Sequence, residues 1–490
     1  MYVSEDAWLL LNLLNRDGSG YLVGGCVRDF VMNCPSHDED IATSLTPVEV
    51  ESLLQKSGLP VIGVGKRFGT VNTQVNGHMF EVTTFRKESG YSDSRHPDMV
   101  QFTRNLEEDA ARRDFTCNAM YYDVRSGEII DLYGGQEDIR RGVLRTVGDA
   151  NDRFREDALR MLRAVRICSE KGFSLDESVF NAIRDNKDLI HDVSVERQAS
   201  EISRILMSDR PVFGFKVLYD CGLLKEVLPE VDAMYSCYQN NPWHMSTVFD
   251  HTMRAVECAP KDLVVRWSLL LHDTGKVRCK TTDVNGVDHF LGHAKVSSKI
   301  TMDVLNRLHF PNSFSSAVEF CVRNHDERFV KHYQRNAVKM YVRQYGQHEI
   351  FEKNYERLLS VQAADVQAHS DALDKETGLC NIKMSKEVFD SLFSRPHLMS
   401  DLSVDGHDML EFGVFPKEIN MMKQRLLCDV LQQPKIPDRD WQLKYIRKNA
   451  KMVHDLYEKR EAKDCVELSV KRNLPSVSKS VGILEKDICD

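Results

Sequence analysis

Tyr21-Leu-Val-Gly-Gly-Cys-Val-Arg-Asp29, followed by His37-Asp-Glu-Asp-Ile41, is the stretch from which the rest of the chain is read. An apolar run enters a Gly-Gly turn and opens a helix. About nine residues later come two carboxylates spaced one apart. On a strand, alternate side chains share a face, so Asp38 and Asp40 point the same way. Neighbouring carboxylates repel unless a cation sits between them, and hard oxygen ligands suit Mg²⁺. Backbone N–H groups of Gly24 and Gly25 can approach an anion closely at a helix N-terminus, with Arg28 one turn in. The stretch therefore reads as a triphosphate seat beside a metal seat, against the plainer reading of a buried turn followed by a solvated acidic loop.

The chain has 490 residues, 42% hydrophobic and 28% charged, which is the composition of a globular protein of three or more units. No apolar run is long enough to span a membrane, and the N-terminus does not read as a signal peptide. The 13 cysteines are scattered, never in a Cys-x-x-Cys pair, so reduced thiols in a cytoplasm are expected. The net charge of −9 excludes a global basic footprint, leaving nucleic acid to local patches.

Beyond the first stretch, residues 7–14 read as a helix, and Thr46-Pro47-Val-Glu49 as a helix start. Asn76-Gly77 marks a hairpin between Thr70–Val75 and His78–Phe85. On the returning strand Glu81 shares a face with Thr83 and Phe85, which makes it a candidate third carboxylate. Residues 86–98 read as a long polar loop beside these carboxylates. Arg112 and Arg113 can hold phosphate or ribose oxygens, or form a salt-bridged helix end. From Arg153 the pattern is helical. Arg160, Arg163 and Arg166 recur every three residues, with Asp157 three before Arg160, placing them on adjoining parts of one helix surface. A helix opens again at Ser194.

A second constellation is rich in histidine. His244 and His251 flank an amphipathic stretch. His272-Asp273 ends an apolar helix, His293 follows a glycine, and His325-Asp326 follows Asn324. Histidine–aspartate pairs at helix ends have the composition of a metal site. Farther on, Arg425, Lys435, Arg439, Lys444, Arg447, Lys448 and Lys451 make a locally basic tail.

These motifs in this order resemble those of bacterial CCA-adding enzymes, tRNA nucleotidyltransferases of the second class in the poly(A) polymerase family, that carry an HD domain. The first motif is Gly24 to Asp29 with Asp38-Glu-Asp40, the second Arg112-Arg-Asp114, the third Asp131 to Asp138 with Gly134 and Gly135. Glu156-Asp-Ala-Leu-Arg160 and Glu196-Arg-Gln-Ala-Ser-Glu201 complete the set, and the likeness runs over residues 20–450. Ala111 and Cys117 depart slightly from it, and Gly65-Lys-Arg-Phe68 has a look of bacterial poly(A) polymerases.

The resemblance implies an α+β protein. A nucleotidyltransferase α/β head on a small mixed sheet (1–148) precedes an all-α neck (149–208), a helical body with the HD domain (209–335), a tRNA-binding tail (336–466) and an extension (467–490). It implies addition of CCA to the tRNA 3′ end from CTP and ATP. Asp38 and Asp40 would hold Mg²⁺, with Glu81 beside them as a third catalytic carboxylate. Gly24, Gly25 and Arg28 would hold the triphosphate, with Arg112, Arg113, Arg163 and Arg166 also toward the nucleotide. Asp157 and Arg160 would read the base. A second divalent metal would sit among His251, His272, Asp273, His293, His325 and Asp326, for hydrolysis of phosphate at RNA ends. Addition of poly(A), only A or only CC, with a structural HD domain, is the alternative. The partners implied are tRNA, CTP and ATP, with no membrane and no obligatory protein.

Overall fold

In the computed structural model the chain is described over residues 3–36, 39–65, 69–90, 99–241, 246–327, 338, 348–370, 374–393, 398–433 and 435–472. They form two compact units, residues 1–322 and 323–490. The 335/336 boundary expected from sequence lies outside the described residues. Among the described residues no helix is long and apolar enough to cross a membrane.

The first unit opens on the expected helix, here Glu5–Asp17, capped by Ser4, whose side chain accepts from the Ala7 N–H. Strands β1 (Gly20–Val23), β2 (Ile41–Thr43), β3 (Val61–Gly65), β4 (Thr70–Val75) and β5 (His78–Thr84) follow. After them come β6 (Arg86–Ser89), β7 (Met99–Phe102), β8 (Met120–Asp123) and β9 (Glu128–Asp131). Seven of these make one sheet in the order β3-β4-β5-β2-β1-β8-β9. Only β2 and β5 pair in parallel, so the sheet is mixed as expected. Asn76 (φ 48°) and Gly77 (φ 93°) both have positive φ, as the tight β4–β5 hairpin requires.

Alternation gives the sheet two different faces. Leu22, Ile41, Val71, Val82 and Met120 bury one against Leu10, Leu14, Val50 and Leu54 of the helices Glu5–Asp17 and Pro47–Lys56. Tyr21, Val23, Ala42, Phe85 and Tyr121 lie on the other with Ala110. Burying an aliphatic side chain of this size contributes roughly 1.5–3 kcal/mol, so the helix-covered face anchors the sheet.

Past the sheet, Ala150–Glu156, Leu159–Lys171, Glu177–Asn186, Val195–Met207 and Pro211–Asp220 are helices. Val195–Met207 starts at Ser194 as expected, and Pro211 starts the next helix where its missing N–H costs nothing. Val248–Cys258, Leu263–Leu271, His293–Arg307 and Asn312–Asn324 follow.

In the second unit, Tyr355 and Phe389 stack at 4.0 Å between the helices His348–Ala368 and Lys375–Phe393. The helices Ile419–Gln432 and Arg439–Arg472 share a core of Met422, Leu426, Ile446 and Val453. Of the basic tail residues, Arg425 is buried rather than displayed.

Candidate functional site

β1 ends at Val23, and Gly24 turns the chain with φ 79°, ψ −131°, a conformation in which a side chain would be strained. The short helix Gly25–Val31 starts there. A Cβ added at Gly24 would lie 3.8 Å from Asp40 Oδ2, and one added at Gly25 would lie 3.5 Å from Arg28 Nη2. The turn thus runs between a carboxylate and a guanidinium.

Asp38 lies outside the described residues. Asp40 does not sit within a strand, as the sequence reading has it, but one residue before β2. Its carbonyl still accepts from the Val23 N–H at 3.0 Å, so the ladder continues past the strand end. In the parallel pair Ile41 is opposite Val82, which sets Asp40 beside Glu81; Glu81 in turn pairs with Asn72. Asp40, Glu81 and Asn72 line one pocket, and both carboxylates are exposed. Exposed hard oxygen donors fit Mg²⁺, which keeps several waters when bound.

Across the second sheet face lies a group of charges that the sequence reading only half anticipates. Arg112 and Arg113 follow the helix Leu106–Ala111, and Asp109 on that helix is fully buried. Asp109 accepts from Arg112 Nε at 2.8 Å, Arg113 Nη2 at 3.0 Å and the Tyr121 hydroxyl at 2.6 Å. Arg112 also meets Glu88 at 3.4 Å, and Arg86 meets Glu88 at 2.6 Å. Burial pushes the Asp109 carboxyl up, but Arg113, Arg112 and Tyr121 outweigh it and hold it at about 2. Among the described residues this cluster sets the guanidinium groups of Arg86, Arg112 and Arg113 against Asp109 and Glu88. Asp109 stands three and four residues before the arginines, the spacing of helix ion pairs, and that signal was available in sequence.

The expectation that Asp157 and Arg160 share one helix surface is corrected. The helix Ala150–Glu156 ends at Asp157, whose backbone is extended (φ −145°, ψ 103°), and the next helix begins at Leu159. The Asp157 side chain accepts from the Leu159 N–H at 3.1 Å, an aspartate competing with helix continuation. Its other oxygen accepts from Arg197 at 3.0 Å. Arg160 binds Glu156 at 2.6 Å and donates to the Arg112 carbonyl at 3.2 Å, so it sits over the arginine pair. Arg163 pairs with Asp114 at 2.8 Å. Burial raises the Asp114 carboxyl, yet Arg163 and Arg160 hold it below the usual range. Arg166 faces away, tied to Glu201 at 2.5 Å and Glu170 at 2.7 Å. In the Glu196-to-Glu201 motif, Arg197 and Glu201 therefore hold Asp157 and Arg166, tying the helix Val195–Met207 to the segment before it.

The histidine constellation gathers in part within the first unit. His272 Nε2 lies 3.3 Å from Asp273, His293 Nε2 3.4 Å and His251 Nε2 3.7 Å. All four residues are buried. His272 Nδ1 donates to the Leu269 carbonyl at 2.6 Å and His293 Nδ1 to that of Phe290 at 2.9 Å, which turns each Nε2 toward the carboxylate. Gly275 permits this: a Cβ there would stand 2.5 Å from the His293 carbonyl. Lys276, missed in sequence although three residues after Asp273, also meets Asp273 at 2.7 Å. Burial raises the Asp273 carboxyl, but His272 and Lys276 carry it well below the usual range. The nitrogen-rich donor set around one carboxylate suits a transition metal. His325 and Asp326 belong to the second unit, where His325 is buried and Asp326 exposed. His244 lies outside the described residues.

Residues 20–145 match the family described as Poly A polymerase head domain, and residues 172–235 the one described as probable RNA and SrmB-binding site of polymerase A. The CCA-adding enzyme of Lactiplantibacillus plantarum is 41% identical over 272 residues, 53% of this chain and 66% of that protein. The CCA-adding enzyme of Geobacillus kaustophilus is 39% identical over 300 residues, 60% of this chain and 67% of that protein. The chain thus spans about two thirds, or less, of the length of the curated relatives it matches. The crystal structure of the Bacillus stearothermophilus CCA-adding enzyme in complex with CTP superposes with a TM-score of 0.60 at 26% identity, covering 94% of this chain and 98% of that one. Head, motif order and relatives agree, and the chain belongs to the family of bacterial CCA-adding enzymes.

Proposed function

We propose that this chain adds cytidine, cytidine and adenosine to the 3′ end of tRNA from CTP and ATP, without a nucleic-acid template. The observation that carries the reading is the Gly24-Gly25 turn, held between the Asp40 carboxylate and the Arg28 guanidinium, with Glu81 beside Asp40 on the neighbouring strand. The relative solved with CTP, similar over nearly the whole chain, supports it.

Asp40, with Asp38, would hold Mg²⁺, and Glu81 would add negative charge beside Asp40. Mg²⁺, when bound, supplies a clamp on the attacking 3′-hydroxyl and on the triphosphate. Gly24, Gly25 and Arg28 would orient the triphosphate, and the guanidinium groups of Arg112 and Arg113 would face the nucleotide. Asp157 and Arg160 would read the base. An aspartate accepts from the exocyclic amino group of cytosine or adenine, and an arginine donates to the neighbouring ring nitrogen. Guanine and uracil present a carbonyl and an N–H at those positions, leaving both side chains mismatched. Arg197 fixes the Asp157 carboxylate for that task.

The buried cluster of His251, His272, Asp273 and His293 supports a second activity on the same substrate. It would hold a divalent transition metal and remove a 2′,3′-cyclic phosphate or a 2′-phosphate from an RNA end before addition. The geometry fits, with three Nε2 atoms turned to one carboxylate. The head, neck and body divisions at residues 148, 208 and 335 are proposed with this reading, and a cytoplasmic location goes with its substrate.

Incorporation of labelled CTP and ATP into tRNA lacking its terminal CCA tests the head. The reading expects both to be used and UTP and GTP to be refused. Failure of every nucleotide on a clean tRNA end would remove it. Repair of tRNA ending in a cyclic phosphate, lost on chelation of the bound transition metal, tests the second activity.

A further inference from the structure

Arg28 is held on three of its five N–H positions before any ligand arrives. Its Nε and Nη2 meet Asp29 Oδ1 at 2.9 and 2.8 Å, and its Nη1 donates to Asn118 Oδ1 at 2.8 Å. Asn118 closes a short turn, Thr116–Asn118, and is 7% exposed. Its Nδ2 donates to Asp114 Oδ1 at 3.2 Å, and Asp114 pairs through Oδ2 with Arg163. Asp29 Oδ1 also accepts from Lys171 Nζ at 2.9 Å. Arg163 and Lys171 both belong to the helix Leu159–Lys171, which also carries Arg160. The guanidinium beside Gly25 is thus tied to this helix by two routes, one through Asn118 and one through Asp29.

We propose that Asn118 is a positioning residue. It fixes Arg28 in the frame of the helix Leu159–Lys171, so that the triphosphate-binding and base-reading groups keep a set separation. The proposal rests on the nucleotide reading of the head. The chemistry of position 118 suits the task. Only an amide offers oxygen to a group that can only donate and nitrogen to a group that can only accept. A carboxylate there would face Asp114 as a like charge. An aliphatic residue would leave Arg28 Nη1 and Asp114 Oδ1 each short of a buried partner. Preordering Arg28 lowers the rotamer entropy lost when a polyphosphate binds.

The test uses the full chain with inorganic triphosphate as probe, by calorimetry, together with KM and kcat for CTP and ATP on tRNA lacking CCA. Asn118→Ala is expected to weaken triphosphate binding about ten-fold and to raise KM for CTP and ATP in parallel, with kcat changed less. Lys171→Met, at a partly exposed helix end, is expected to move the same quantities in the same direction by about two- to three-fold. It reads the second route if Asn118→Ala does not fold. Triphosphate affinity equal to wild type in either folded variant would overturn the proposal, as would a fall in kcat with KM and triphosphate affinity unchanged. Wild-type protein that binds triphosphate yet extends no tRNA would instead sink the head reading, and the binding comparison would still decide the role of Asn118.

Discussion

The carboxylates around Asp40 and the helical cluster around Asp273 are both proposed as cation sites, but they are built in opposite ways. Asp40 and Glu81 stand exposed side by side, one just before β2 and the other in the middle of β5, joined by register. Asp273 is buried among three imidazoles and an ammonium, so its charge is largely met from within the fold. An exposed hard-oxygen site is suited to a cation that arrives with substrate and leaves with product. A buried, nitrogen-rich cluster is suited to a resident ion and needs little from the substrate. The two sites should therefore fail independently, and the arginines held by Asp109 belong with the first.

Loss of the exposed carboxylates should have the largest effect. Asp40→Ala, and likewise Asp38→Ala, should reduce nucleotide addition by about 10³-fold or more with the fold intact, because a metal ligand is missing at the transition state. Single-turnover incorporation with circular dichroism as the fold control measures it, and near-normal rates would take these carboxylates out of the chemistry. Next is base choice. Asp157→Ala should ease discrimination against UTP and GTP by about ten- to a hundred-fold, the worth of a hydrogen bond to a charged group. If kcat/KM falls equally for all four nucleotides instead, the motif serves affinity and not selection.

Stability in acid comes third. The Asp109 carboxyl lies at about 2, below its ordinary 3.8. A depressed carboxyl stabilises the fold fully above its unfolded value, and the contribution is lost as pH falls through the folded one. Between pH 5 and pH 2 this one group should cost about 2 kcal/mol of stability. Asp109→Asn should flatten that part of the pH profile in denaturant unfolding. An unchanged slope would show that the arginines do not hold its charge. The smallest effect should come from the buried cluster. His272→Ala with Asp273→Ala should change addition to clean tRNA ends by less than about two-fold while abolishing bound transition metal, measured by elemental analysis. A large loss of addition would join the two sites that the geometry separates.

Much of this was legible because the signals were local. The Asn76-Gly77 turn, the Thr46-Pro47 start and the alternation of the returning strand each follow from backbone rules within a few residues. Glu81 could be singled out from its face of the returning strand, and the register of β2 with β5 sets it beside Asp40. Legibility stopped where one side chain's bond decided the backbone. Asp157 ends a helix by taking the Leu159 N–H, which a repeat of arginines every three residues does not announce. It stopped also where partners were distant in sequence. Arg28 with Asn118, and Arg166 with Glu201, pair across 90 and 35 residues. Lys276 was closer to hand, three residues beyond Asp273, but one lysine among many carries no mark of burial.

The most direct test of the account is the sequence of the product. The chain is incubated with tRNA ending before its CCA, in a mixture of all four nucleotides, and the extended 3′ ends are sequenced. The account predicts two cytidines and one adenosine, then arrest. A run of adenosines, a stop after two cytidines, or ends left unextended would contradict it.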